Sequence, residues 1–278
     1  AYDVVIRDWS SDVCSSDRAP TVSVMSLQDW DGKSATRKRA RKSGNCKMSG
    51  PGKFITFEGP EGSGKSTHIR LLADYLCCRG CQAIVTREPG GTPTGEAIRN
   101  LLQHNESGEA PVPRAEVLLF LASRAQHVER LIRPALAAGT WVLCDRFEDS
   151  TFAYQGYGRG FDLHELCAVN AFATGGQNAD LTILLDVRPE TSRARLLTRQ
   201  SLTSASPDRI EREADDFHVR LRNGFLEMAK HAPDRFAIFD SERDRDVVAA
   251  EIRATVERRF FGGDRKSTRL NSSHESPS

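Results

Sequence analysis

The chain has 278 residues, of which 28% are charged and 38% hydrophobic, and its formal net charge is +1. These proportions suit a soluble globular protein with one main domain plus extra segments, and the near-zero net charge gives no global field that would draw the chain onto nucleic acid or an acidic membrane. No apolar run approaches the ~20 residues of a membrane-spanning helix, which excludes that class.

Residues 1–52 show no sustained hydrophobic period. Their basic run Arg37-Lys38-Arg39-Ala40-Arg41-Lys42 reads as a solvated charge run in preference to a nucleic-acid patch. Segments 4–17 and 264–274 look like translated sequencing-adapter sequence. Both terminal stretches, 1–52 and 262–278, are therefore expected to be disordered or at least partly artefactual, and are set aside from fold reasoning.

The first patterned element is Phe54-Ile55-Thr56-Phe57, read as a buried strand over 54–58. It runs into Gly59-Pro60-Glu61-Gly62-Ser63-Gly64-Lys65-Ser66, which fits the phosphate-loop template G-x-x-x-x-G-K-[ST]. Glycines in such a loop let backbone N–H groups turn inward onto phosphate oxygens. Lys65 reaches the outer phosphates, and the Ser66 hydroxyl can ligate Mg²⁺. Ile69, Leu72, Ala73 and Leu76 then recur at helical spacing, predicting a helix over 67–79 whose N-terminus would seat the anion. Strand, loop and helix in that order lift the motif above a chance match.

Cys78 and Cys81 form a C-x-x-C beside Gly80, but no second pair stands at zinc-ribbon spacing. Thiols near a helix end are preferred here over a redox or metal role. The chain has seven cysteines, an odd count, with no secretory signal pattern ahead of them. Reduced thiols in a cytosol are the expected state.

Further strands are predicted at 83–86, 141–145, 181–187 and 236–239. Helical patterns alternate with them at 95–102, 114–138, 163–174, 189–198, 215–230 and 243–259. This alternation predicts an α/β fold, a five-stranded parallel sheet with helices on both faces. Ligands of such sheets bind beyond the carboxyl ends of the strands, so the informative loops follow Glu58, Thr86 and Asp145.

The second strand leads into Thr86-Arg87-Glu88-Pro89-Gly90-Gly91-Thr92, and the third ends on Asp145-Arg146-Phe147. Asp145 stands where a P-loop enzyme keeps the acid that holds Mg²⁺, directly or through water. Arg146 can fork onto phosphate oxygens. The competing reading makes Asp145 a turn cap paired with Arg146.

Phe120 and Arg124 are four apart on a helical stretch and so share a face. A ring beside a guanidinium suits a nucleobase, although a Phe on an amphipathic helix is ordinarily core. The 151–159 segment holds Tyr154, Gln155 and Tyr157 among Gly156 and Gly158, and reads as a mobile loop over a sugar or as a plain surface turn. Arg193, Arg195, Arg199 and Arg209 flank 201–207, which reads as a loop. An arginine-bearing lid there would neutralise charge on a phosphoryl group in flight; a solvated basic face, partly paired by Asp208 and Glu211, is the plainer alternative.

Together these motifs resemble bacterial-type thymidylate kinases, P-loop nucleoside monophosphate kinases, over about 52–260. The run from Phe57 to Thr67 resembles the family's P-loop, and Thr86 to Thr92 its second-strand signature. The helix with Phe120 and Arg124, the Asp145-Arg146-Phe147 turn, Tyr154-Gln155-Gly156 and Asp208-Arg209-Ile210-Glu211 follow in the family's order.

The resemblance implies a P-loop kinase domain over 53–261 with a lid at about 193–211. It implies transfer of the γ-phosphoryl group of ATP to dTMP with Mg²⁺ as cofactor, in a cytoplasmic homodimer that needs neither nucleic acid nor membrane. The run Gly59 to Thr67 would bind ATP, and Ser66 and Asp145 would hold the metal. Phe120 would stack on thymine, Arg124 would reach its O4, and Thr151 and Gln155 would line the base pocket. Tyr154 would crowd the 2′ position, Glu61 would approach the 3′-OH, Arg146 would hold the acceptor phosphate, and Arg87 would join the substrate contacts.

Lys65, Arg146, Arg199 and Arg209 would be catalytic. No basic residue occupies the variable P-loop positions, and in that subgroup the catalytic arginine comes from the lid. Two departures stand out: Phe147 replaces the usual Tyr or His, and 201–207 lengthens the lid. The alternatives are another nucleoside monophosphate kinase, a non-enzymatic P-loop switch, which lacks the guanine-reading N-K-x-D motif here, or an inactive relative, against which Lys65, Ser66, Asp145 and Arg146 are all present.

Overall fold

The computed structural model describes residues 51–104, 109–203 and 213–262. The expectations for most of the two terminal stretches and for Arg209 concern residues outside these ranges.

Five strands alternate with helices, as the sequence pattern predicts: β1 (Phe54–Glu58), β2 (Ala83–Arg87), β3 (Trp141–Asp145), β4 (Leu181–Asp186) and β5 (Phe236–Asp240). All pair in parallel, in the order β2-β3-β1-β4-β5. The strand feeding the phosphate loop is therefore central, with β3 and β4 on either side. The chain leaves β1, crosses to β2, returns through β3 and then passes to the far side as β4. That reversal opens a crevice at the carboxyl ends of β1 and β3, where ligands of doubly wound sheets bind.

The period of two in the strands sorts side chains to two faces. Ile55, Phe57, Leu143 and Ile183 pack against Ile69, Leu72 and Leu76 of α1 (Lys65–Cys78) and Val248 and Ile252 of α9 (Arg245–Phe260). Phe54, Val142 and Cys144 face the other way, onto Val128 and Ile132. Leu184 and Phe236 share a cluster with Phe217 and Leu221 of α8 (Asp215–His231). Both faces of the sheet are thus covered by helices. Each fully buried Phe or Leu contributes about 1.5–3 kcal/mol of burial free energy, so these facing rows hold the layers together.

Three local readings differ from what forms. The single helix expected over 114–138 is α3 (Pro113–His127), a π-helical turn (Val128–Ile132) and α4 (Arg133–Ala137). The segment read as a mobile loop or surface turn at 151–159 is instead helical and largely buried. Here α5 (Glu148–Thr151) runs into a π-helical stretch (Phe152–Gly158) in which Tyr154 and Gln155 are only 5% and 2% exposed. The remaining helices are α2 (Pro93–His104), α6 (Leu163–Thr174) and α7 (Pro189–Thr203), so α7 extends past the predicted end at 198 into the stretch read as a loop.

Candidate active site

The phosphate loop joins β1 to α1. Gly64 is the N-cap of α1 at φ +88°, a left-handed conformation that glycine adopts without a Cβ clash. No side chain caps α1, and its first turn carries no acidic residue. By contrast, Asp162 accepts from the Glu165 N–H at the start of α6, and Asp244 caps α9. The uncapped helix end keeps its N–H groups and positive dipole end for an external anion.

Lys65 Nζ donates to the carbonyl oxygens of Gly59 and Pro60, both at 2.9 Å. Burial first, then the neighbouring Arg146 charge, pushes its pKa down to about 8. The outward side of the loop is tied by three hydrogen bonds to successive carbonyls. Ser192 Oγ donates to Glu61 O at 2.5 Å, Arg195 Nη1 to Gly62 O at 3.1 Å, and Ser241 Oγ to Ser63 O at 2.7 Å. Arg195 also donates to both Ser241 oxygens, linking α7 to the loop after β5.

Across the loop lies a cleft of about 600 Å³. Glu61, Lys65, Ser66 and Thr67 line its phosphate-loop side, Arg146, Thr151, Tyr154 and Gln155 line it from the segment after β3, and Phe120 and Arg124 line it from α3. Arg199 also lines it. Six basic and three acidic side chains face this space, so positive charge is concentrated locally in a chain whose net charge is only +1. Of the expected nucleotide contacts among the described residues, Gly59, Pro60, Ser63 and Arg87 do not line the cleft, and Arg87 instead pairs with Glu96 of α2 at 3.0 Å.

Arg146 sits at φ +73°, the one non-glycine residue of positive φ among the described residues. Its guanidinium donates to Gly59 O at 3.2 Å, Ser150 Oγ at 3.1 Å and Glu61 Oε1 at 2.6 Å, and lies over the Tyr154 ring. Glu61 Oε2 accepts from the Tyr154 hydroxyl at 2.8 Å. Burial alone would raise the Glu61 pKa, but Arg146, Lys65 and that hydroxyl outweigh it and hold it down to about 2. Glu61 is therefore a carboxylate at any physiological pH, joining the loop to Arg146 and Tyr154.

Glu58 sets the turn after β3 from the end of β1. Its carboxyl accepts from the Phe147 N–H and from Ser150 Oγ, both at 2.7 Å. Burial first, then the charge of Asp149, raises its pKa well above the usual carboxylate range. Phe147 is fully buried edge-on against Phe54, so the ring that replaces the usual Tyr or His serves the core.

Arg124 is 2% exposed and bonded on several sides. Nε donates to Glu88 at 2.8 Å, Nη1 to Thr151 at 2.8 Å and to Asn170 at 2.5 Å, and Nη2 to Phe147 O at 3.0 Å. The other oxygen of Glu88 meets His127 Nδ1 at 3.0 Å.

Asp145 ends β3 beside the loop, with Oδ2 accepting from Ser66 Oγ at 3.3 Å. Its Oδ1 is buried and has no hydrogen-bond partner among the described residues. A hydroxyl and a carboxylate with an unused buried oxygen form a hard-oxygen donor set, which fits Mg²⁺.

Sequence reasoning missed Arg99. It lines the cleft from α2 and donates to Pro89 O at 3.0 Å. Burial and the nearby Arg87 charge lower its pKa. The available signal was position: α2 starts directly after the second-strand signature, so its first turns must border the same crevice.

The family model described as thymidylate kinase matches residues 57–252. Thymidylate kinase of Bdellovibrio bacteriovorus is 47% identical over 207 residues, covering 74% of this chain and 94% of that protein. Its counterpart in Desulfovibrio desulfuricans is 49% identical over 206 residues, covering 73% and 94%. The crystal structure of thymidylate kinase from Ehrlichia chaffeensis superposes with a TM-score of 0.59 at 34% identity, covering 74% of this chain and 99% of that one. On the extent of the match and the identity of these relatives, the chain belongs to the thymidylate kinase family.

Proposed function

We infer that this chain transfers the γ-phosphoryl group of ATP to dTMP, giving ADP and dTDP. The observation that carries the reading is that two anion seats face each other across one cleft. One is the uncapped N-terminus of α1 with Lys65, and the other is the Arg146 guanidinium with Arg99 behind it. Beyond the second seat lie Phe120, whose ring suits stacking on thymine, and Arg124, whose fork suits its O4.

The attacking group is a phosphate oxygen already ionised at neutral pH, so no general base is needed. Catalysis reduces to aligning two anions and cancelling their repulsion. Two like charges ~4 Å apart repel by ~4 kcal/mol at an effective dielectric of 20. Lys65 offsets this on the donor side by exchanging its bonds to Gly59 O and Pro60 O for phosphate oxygens. Arg146 and Arg99 hold the acceptor phosphate.

Glu61 orients Arg146 and faces the acceptor sugar, and Tyr154 fills the space where a ribonucleotide carries its 2′-OH. Thr151 and Gln155 border the base. Arg199, and Arg209 outside the described residues, are the lid candidates for the phosphoryl group in transit. Ser66 and Asp145 are the residues that would hold Mg²⁺, which when bound with ATP neutralises charge on the transferring phosphate.

Two finer readings join this one. Phe172 of α6 is 90% exposed, with exposed Val169 one turn before it, and exposed Leu118 is on α3, the helix that packs against α6. These exposed side chains support a homodimer. Among the described residues no helix is long and apolar enough to cross a membrane, and the substrates are soluble nucleotides, which favours work in the cytoplasm.

The test is a coupled ADP-release assay on the full chain across dTMP, dUMP, UMP, CMP and AMP. Preference for dTMP is expected. ADP release that ignores the acceptor, or a tenfold preference for a ribonucleotide, would overturn the reading.

A further inference from the structure

We propose that Asn170, on the inner side of α6, is a positioning residue for acceptor-base recognition, fixing the plane of the Arg124 guanidinium. The inference rests on the reading of Arg124 as the base contact. An arginine has five N–H donors in a rigid fork. Among the described residues, four of those on Arg124 are engaged, by Glu88, Thr151, Asn170 and Phe147 O. The N–H left over is on Nη2. Because Arg124 borders the cleft while only 2% exposed, that donor is the one it can offer to a ligand.

The direction of this donor depends on what stops the fork from turning. Glu88 supplies the counter-charge on the Nε side. The far end is held by Thr151 and Asn170 on Nη1 and by the Phe147 carbonyl on Nη2; Phe147 and Thr151 bracket α5, so Asn170 is the only one of the three that comes from α6. Asn170 is 1% exposed and is not part of the cleft lining, so it acts through Arg124 and not on the substrate.

The orientation of its amide follows from chemistry. Nδ2 donates to Leu166 O at 3.0 Å, and the guanidinium, which only donates, requires the oxygen on its side. Asn170 otherwise sits next to an apolar seam of Leu166, Ala173, Val117 and Leu121 between α6 and α3. A buried amide at such a seam is costly unless bonded, and its oxygen is spent on Arg124.

The test is steady-state kinetics on Asn170→Ala, Asn170→Asp, Arg124→Lys and the Asn170→Ala/Arg124→Lys pair, with melting curves for each. Asn170→Ala is expected to raise KM for dTMP about tenfold, as one charge-assisted hydrogen bond is lost, with kcat and KM for ATP unchanged. Asn170→Asp keeps the accepting oxygen on Arg124 but loses the bond to Leu166 O, so it should raise KM for dTMP less than Asn170→Ala does. In the Arg124→Lys background, Asn170→Ala should add nothing further.

Should the alanine variant fail to fold, Asn170→Ser carries the same comparison, because its hydroxyl is too short to reach the fork. Equal rises in both KM values, or the same factor with Lys at 124, would make Asn170 a packing residue and overturn the inference. If Arg124→Lys raises KM for dTMP and Asn170→Ala does not, only the inference fails. If Arg124→Lys leaves that KM unchanged, the base contact falls and the inference with it.

Discussion

Arg146 holds a left-handed backbone that costs a residue with a Cβ about 1–2 kcal/mol. The strain is offset by the bonds its guanidinium makes to Gly59, Ser150 and Glu61, and it aims that group across the phosphate loop. A lysine would keep the charge and lose the fork. Arg146→Lys should therefore lower kcat/KM for dTMP by about 10²-fold while the melting temperature stays close to that of the parent. Unchanged turnover would remove Arg146 from the acceptor-phosphate seat.

Lys65 makes a second prediction, this one in pH. With its pKa lowered to about 8, it is partly neutral in mildly alkaline solution, and phosphate oxygens would draw it back to the charged form. ATP binding near pH 8 should take up protons, and affinity should fall as pH rises above that value. Calorimetry in buffers of different ionisation enthalpy reads this directly, and proton release on binding would contradict it.

At this scale the meeting of Lys65, Ser66, Asp145 and Arg146 at one cleft was legible, because these residues travel with short motifs that end neighbouring strands. Arg99, Glu58 and Asn170 were not. Their roles come from long-range contacts such as Glu58 to Ser150 and Asn170 to Arg124, which no local spacing announces.

Among the elements, all five strands could be read from their apolar runs, and α6 was predicted over its full length. The segment after β3 misled because its glycines resemble turn punctuation. They serve close packing instead: a Cβ on Gly156 would lie 2.4 Å from Leu163 Cδ2, and one on Gly158 would lie 2.5 Å from the Phe217 ring. Glycine for contact and glycine for a turn look alike in sequence. The break in the long helix between α3 and α4 was equally silent, although Pro134 stands in the first turn of α4, just past the π-helical turn.

The phosphate loop is also held at this scale. Ser192 and Arg195 of α7, with Ser241 after β5, grip three successive loop carbonyls. Removing either serine hydroxyl loses a bond of about 1 kcal/mol, worth roughly fivefold. Ser192→Ala and Ser241→Ala should each raise KM for ATP by about that factor and leave KM for dTMP alone. A rise confined to dTMP would mean that these ties serve the acceptor side.

For the whole molecule, the central place of β1 is what brings donor and acceptor together. With β3 on one side and β4 on the other, the loops after β1 and β3 open onto the same crevice. The parallel sheet was legible from strand–helix alternation, whereas the strand order needed the pairing itself. The surface adds a prediction about assembly. Phe172 is 90% exposed on α6, so Phe172→Glu should not disturb the protomer. It should convert a dimer to a monomer in light scattering after gel filtration; a parent chain that is already monomeric would remove the dimer proposal.

The most direct test of the central claim follows the phosphorus itself. ATP labelled at the γ position is mixed with the full chain, Mg²⁺ and dTMP, and the products are separated. The label should appear in dTDP, at a rate that falls by several orders of magnitude in Lys65→Ala. Label released as inorganic phosphate regardless of dTMP, or unchanged transfer in Lys65→Ala, would contradict the account.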